Sequence, residues 1–212
     1  MISDFFYEPL NNVTYELKIK RSLFIAHLSV SRSEEIARQF ISDVSQKHKQ
    51  ATHNCWAYRV GIDPIIEYCS DAGEPSGTAG KPILGAIQRA NLTFTTVVIT
   101  RYFGGIKLGV RGLIEAYGNA TTQALEKAGK KEGRMGKRGY VEFPYSLYKT
   151  IVYQLKNRDV SEESMLPAYA ETITLSFFVP LSSVPSVESY LSEEEASGMI
   201  KKWGWEETSK DQ

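Results

Sequence analysis

The sequence predicts two α+β domains, and three observations carry that prediction. Strand-like and helix-like patterns alternate from about residue 14 onward. After the glycine-rich basic run "KKEGRMGKRG" the alternation restarts. The charge balance shifts there too: residues 1–100 carry 10 basic and 10 acidic side chains, residues 101–140 carry 9 and 3, and residues 141–212 carry 6 and 12. Such asymmetry marks a boundary near residue 140.

The elements follow in order. "TYELKIKRSLFIAHLSV" alternates polar and apolar residues and reads as one or two strands over about 14–30. In "SRSEEIARQFISDVSQKH", Ser31 stands three residues before Glu34, a capping-box spacing, and Ile36, Phe40, Ile41 and Val44 fall on one helical face. "NCWAYRV" and "IIEYCS" flank the turn-rich "GIDP" and predict a hairpin over about 54–70. A helix is expected from about Lys81 to Ala90, with Pro82 in its first turn, where a missing N–H does no harm. "TFTTVVITRY" is β-branched and reads as a buried strand. "VRGLIEAYGNATTQALEKAG" predicts a helix ending near Gly129. "KKEGRMGKRG" reads as a linker, with Lys127, Lys130, Lys131, Arg134, Lys137 and Arg138 on a solvated basic surface. Beyond it come a strand ("YVEFPYS"), a helix ("SLYKTIVYQLKNRD"), two strands ("VSEESMLPAYA", "ETITLSFFVPL") and a helix ("VPSVESYLSEEEAS"), with a short strand possible in the tail "MIKKWGWEE". That order suggests a split β-α-β sandwich.

Composition excludes several function classes. The 212 residues are 42% hydrophobic, enough for a core, and carry 25 basic against 25 acidic side chains, so the whole chain is no electrostatic magnet for nucleic acid. No apolar run reaches membrane length, and "MISDFFYEPL" lacks the features of a secretion signal. Cys55 and Cys69 make no disulfide framework, so a cytoplasmic protein without membrane attachment is expected.

The chemistry concentrates in "YCSDAGEPSGTAGKP", residues 68–82. Gly77, Thr78, Ala79 and Gly80 lead into a helix, and free N–H groups at a helix start attract anions. Ser76 and Thr78 add hydroxyls. The ATP-type P-loop does not fit, because six residues separate Gly73 from Gly80 and Pro82 stands at the hydroxyl position. Nor does "GGIKLG" match a dinucleotide fingerprint. Asp71 and Glu74 would repel a phosphate unless Arg101, Lys107 and Arg111 of the second glycine loop balance them. Their alternative is local: Asp71 bonds loop backbone, and Glu74 caps or pairs with Arg101. His53, Cys55, Cys69 and Asp71 lack a zinc spacing, no metal or other cofactor is expected, and a Ser76–His53–Asp71 triad has no Gly-x-Ser-x-Gly elbow.

At "SDAGEPSGTAGKPIL" joined to "VVITRYFGGIKLG" the chain resembles the IMPACT (YigZ-like) family, as do "KRSLFIAHL" and "ATHNCWAY"; the likeness covers about residues 15–125. The resemblance implies an N-terminal ribosomal-protein-S-five domain-2-like fold, two helices on one face of a four-stranded sheet. In bacterial members it implies a C-terminal ferredoxin-like domain similar to domain V of elongation factor G. The domains are accordingly expected at 1–133 and 134–212. Eukaryotic members carry an extra N-terminal module, for which this chain leaves no room, and restrain a stress kinase by competing for its ribosome-associated co-activator. The family pattern reads Lys-Leu-Gly-x-Gly-Gly-Leu-x-Arg-Ala-Tyr, whereas "KLGVRGLIEAY" has Arg111 for a glycine and Glu115 for an arginine, a pair at i,i+4. If the family site binds an anion through that arginine, this chain must do so through Arg111 or bind more weakly.

The resulting expectation is an accessory or regulatory factor near translation. His53, Asn54, Asp71, Glu74, Ser76, Gly77, Thr78, Arg101, Lys107 and Arg111 would form its surface for RNA, the ribosome or another anionic partner. Tyr102 and Phe103 are candidates to stack a base. The rivals are an enzyme on a small phosphorylated substrate, with His53 or Asp71 as base, and a pure protein-interaction module. The C-terminal domain, net acidic, is expected to avoid nucleic acid and to suit a basic protein surface.

Overall fold

The computed structural model describes residues 4–206. The described residues divide into two compact units, one running Phe6–Gly133 and the other comprising Arg134–Glu206 together with Asp4 and Phe5.

In the first unit, strands β2 (Val13–Ile19), β3 (Ser22–Val30), β4 (His53–Val60), β5 (Ile66–Ser70) and β6 (Thr95–Tyr102) form one sheet in the order β2-β3-β6-β4-β5. Every pairing in it is antiparallel. Alternation sends Phe24, Ala26, Leu28, Cys55, Ala57, Val97 and Ile99 to one face, where helices α2 (Gly80–Arg89) and α3 (Gly109–Ala128) close a core around Ile83, Ile87 and Tyr117. The opposite parity, Trp56, Tyr58 and Val60, meets helix α1 (Glu34–Lys47). The sheet therefore has five strands and helices on both faces, not four strands and one helical layer: β6 is buried on both sides, and α1 covers its second face.

Two local expectations also change. The cap of α1 is Ser33, whose hydroxyl accepts from the Ile36 N–H at 3.3 Å, while Ser31 is buried and accepts a hydrogen bond from Thr96 at 2.8 Å. Ile36 accordingly points to solvent, and the packed stripe is Ala37, Ile41 and Val44. The basic run after Gly129 is not a linker: Lys130–Arg134 (β7) pairs with Phe5–Pro9 (β1), and Gly136–Phe143 (β8) is a full strand.

In the second unit, β8, α4 (Tyr148–Lys156), β9 (Leu166–Tyr169), β10 (Ile173–Pro180), α5 (Val184–Ala196) and β11 (Lys202–Trp205) follow one another, with sheet order β11-β8-β10-β9 and antiparallel pairing throughout. Both helices pack on one face, over Val141, Phe143, Leu175, Phe177 and Val179. Among the described residues, no helix is long and apolar enough to cross a membrane.

The cap assignment is testable in thermal melts. Ser33→Ala should destabilise by about 1 kcal/mol, with the loss at the start of α1.

Candidate functional site

The first glycine loop is liganded by its own chain. Asp71 follows β5, and its Oδ1 accepts from the N–H groups of Ala79 (2.9 Å) and Gly80 (2.8 Å) while Oδ2 accepts from Gly77 (2.8 Å). Desolvation raises the carboxyl, but these three donors outweigh it and hold Asp71 below its ordinary 3.8. Gly77, at φ +78°, supplies the left-handed turn that aims its N–H inward. Thr78 is buried and donates to the Pro75 carbonyl at 2.7 Å. The donors at the start of α2 that a phosphate would need thus already hold an anion, so the junction offers no open cradle.

Behind the loop lies a buried polar cluster. Glu74 and Arg101 are 8% and 5% exposed, and Glu74 Oε1 accepts from Arg101 Nη1 at 2.5 Å and from the Tyr117 hydroxyl at 2.9 Å. The guanidinium lies 5.5 Å from the Phe24 ring centroid and 5.4 Å from that of Phe103, and its Nε is buried without a partner. His53, directly opposite Arg101 in the β4–β6 register, has Nε2 3.9 Å from Glu74 Oε2 and Nδ1 3.0 Å from the Ala72 carbonyl. Cys55 donates to the Asp71 carbonyl at 2.9 Å, and burial pushes its thiol up to about 12; burial also raises the Tyr117 hydroxyl. His53, Cys55 and Arg101 share this face because they alternate along paired strands. Asn54 has the other parity and leaves the site: its amide accepts from Thr100 (2.8 Å) and donates to the His48 carbonyl (3.2 Å). Tyr102 too is turned away, its hydroxyl 3.0 Å from His48 Nδ1.

The Asp71 carboxylate serves backbone donors rather than His53, so the Ser76–His53–Asp71 triad does not assemble. Burial and the bond to the Asp71 carbonyl keep the Cys55 thiol protonated. Among the described residues no cluster of His, Cys, Asp and Glu is placed to hold a metal.

Outside the cluster, Phe103 (45% exposed), Ile106, Val110 (61%) and Ile114 stand on the second glycine loop and the first turns of α3, interleaved with exposed Lys107 and Arg111. Arg111 bonds Glu115 at 2.9 Å, the pair expected from the i,i+4 spacing. The β2–β3 turn brings exposed Lys20 and Arg21 alongside: a Cβ on Gly104 would fall 2.0 Å from the Arg21 carbonyl oxygen, so only glycine permits this approach. Sequence reasoning missed Tyr117, the apolar members of this surface, Lys20 and Arg21. The i,i+4 repeat of Ile106, Val110 and Ile114 was the available signal.

Residues 20–125 match the Impact N-terminal domain. The chain is 35% identical over 179 residues to the IMPACT family member YvyE of Bacillus subtilis, covering 84% of this chain and 82% of that one. It is 40% identical over 121 residues to the IMPACT family member YigZ of Escherichia coli, covering 56% of this chain and 59% of that one. A crystal structure described as that of a hypothetical protein superposes with a TM-score of 0.66 at 28% identity, over 98% of this chain and 100% of that one.

Two substitutions test the site. Glu74→Ala leaves the Arg101 charge buried and unpaired and should lower the unfolding free energy by about 3–5 kcal/mol in urea titrations. Asp71→Asn loses one acceptor and should cost about 1–3 kcal/mol near neutral pH. Because folding depresses the Asp71 carboxyl, its contribution is present above the unfolded value near 3.8 and is lost as pH falls through the folded one. The gap between wild type and Asp71→Asn should therefore narrow below about pH 4.

Proposed function

The chain belongs to the IMPACT family, and on that premise we propose that it is a non-catalytic accessory factor of translation that binds the ribosome through RNA. The contact surface in this reading is the Phe103–Leu108 loop with the first turns of α3, not the glycine-helix junction. The observation that carries it is the interleaving of exposed Phe103, Ile106, Val110 and Ile114 with Lys107 and Arg111, flanked by Lys20 and Arg21. Cations of this kind meet phosphates and position the partner, while an exposed ring accepts a base. Arg101 is neutralised by Glu74 and acts from below, holding Phe103 in place. For the translational setting, the support is the family likeness.

The enzymatic alternative, with His53 or Asp71 as base, has less support: Asp71, Glu74 and Cys55 are each engaged by hydrogen bonds within the fold, which leaves that role to His53, whose Nδ1 meets the Ala72 carbonyl. We read the first unit as a ribosomal-protein-S-five domain-2-like fold extended by an edge strand and α1. The second, with its β-α-β-β-α-β order, reads as ferredoxin-like, and the domain boundary falls at 133/134. The two unpaired thiols, Cys55 and Cys69, suit a cytoplasmic location.

Co-sedimentation with ribosomes across a salt series tests the reading. Wild-type binding should weaken steeply with salt, and Lys107→Ala/Arg111→Ala should reduce the log–log salt slope by about 2. Absence of binding at low salt, or binding indifferent to this variant and to Phe103→Ala, would overturn it.

A further inference from the structure

The sheet of the second unit has helices on one face only, and strand register defines what the other face presents. Along β8, the parity opposite to the core residue Val141 belongs to Gly136, Arg138, Tyr140 and Glu142. Register adds Thr174, Ser176 and Phe178 from β10, Lys202 and Gly204 from β11, and Leu166 from β9. Arg138, Lys202 and Leu166 are exposed, and Tyr140 and Phe178 are half-buried, so this face is open.

Tyr140 and Phe178 occupy the two central strands. Tyr140 stands opposite Ser176 and Phe178 opposite Arg138, which makes the rings diagonal neighbours. Each ring lies over a glycine. A Cβ on Gly204 would come within 3.2 Å of the Tyr140 ring, and one on Gly136 within 2.5 Å of the Phe178 ring. Part of each ring thus rests on the neighbouring strand, and both side chains stay half-exposed. Covering bare glycine backbone is a structural use of such rings, but it explains neither their adjacency nor the cations beside them. Lys202 Nζ is 5.9 Å from the Tyr140 centroid, and Arg138 makes no side-chain bond among the described residues. The carboxylate on this face, Glu142, is held by Lys201 at 2.7 Å and Lys202 at 3.4 Å. Much of the segment's acidic surplus lies on the far side of the sheet, on α5, at Glu188, Glu193, Glu194 and Glu195.

We propose that this open face binds single-stranded RNA, with bases stacked on Tyr140 and Phe178 and backbone phosphates met by Arg138 and Lys202. Paired rings on the central strands of a four-stranded sheet, with cations beside them, match a strand that alternates base and phosphate. The expectation that an acidic C-terminal domain avoids nucleic acid then applies to its helical side. This site is independent of the Phe103 surface and stands whether or not that surface binds.

The experiment is fluorescence anisotropy of the full chain with a labelled single-stranded RNA of about ten nucleotides, beside the same sequence as duplex and beside heparin. Tyr140→Leu/Phe178→Leu keeps apolar cover over the glycines and removes the π faces. Arg138→Gln changes an exposed side chain and decides the matter should the double variant melt early. The single strand should bind in preference to duplex and heparin, and loss of both rings should weaken it by about tenfold or more. Arg138→Gln should lower the salt slope by about 1, and Lys107→Ala/Arg111→Ala should leave this binding intact. No single-strand binding at low salt, equal affinity for duplex or heparin, or loss confined to Lys107→Ala/Arg111→Ala would overturn the proposal.

Discussion

The ion pair between Glu74 and Arg101 organises the first unit. Each charge is almost wholly removed from water, and each is the other's compensation there. The pair joins the glycine loop to β6, and through the Tyr117 hydroxyl it reaches α3. Because the guanidinium is sandwiched between Phe24 and Phe103, the same contact sets where the second glycine loop leaves the sheet. A buried interaction thereby positions an exposed surface.

The glycine loop solves a separate problem. A helix that begins at Gly80 without a side-chain cap of its own exposes donors that must be satisfied, and from the end of β5 Asp71 satisfies those of Ala79 and Gly80 together with the loop N–H of Gly77. The loop's many special residues serve this internal anion. The motif that looks most like a ligand cradle is thus a structural knot.

Charge is distributed by the same logic. The formal net charge of the whole chain is zero, yet Lys20, Arg21, Lys107 and Arg111 gather on one surface, and Arg138 and Lys202 on another. Counting charges by segment does not resolve these surfaces, because strand alternation separates neighbours onto opposite faces. Arg138 and Glu142 share a face with Tyr140, whereas the glutamates of α5 lie behind the sheet.

Much of the architecture was legible in the residues alone. β6, α2 and α3 declare themselves through β-branched content, an early proline and a terminal glycine, all local signals. The Arg111–Glu115 pair and the alternative pairing of Glu74 with Arg101 were also readable, from helical spacing and charge complementarity. What failed was whatever depends on a partner remote in sequence. "KKEGRMGKRG" has the composition of a linker and becomes strand because β1 and β10 supply its ladders. Ser31 has the spacing of a cap and is claimed instead by Thr96. The sequence by itself determined the local conformations and the chemistry within reach of each loop. Which face each side chain occupies, and which charges are spent inside the fold, only the tertiary structure decided, because burial and pairing are properties of contacts between distant segments.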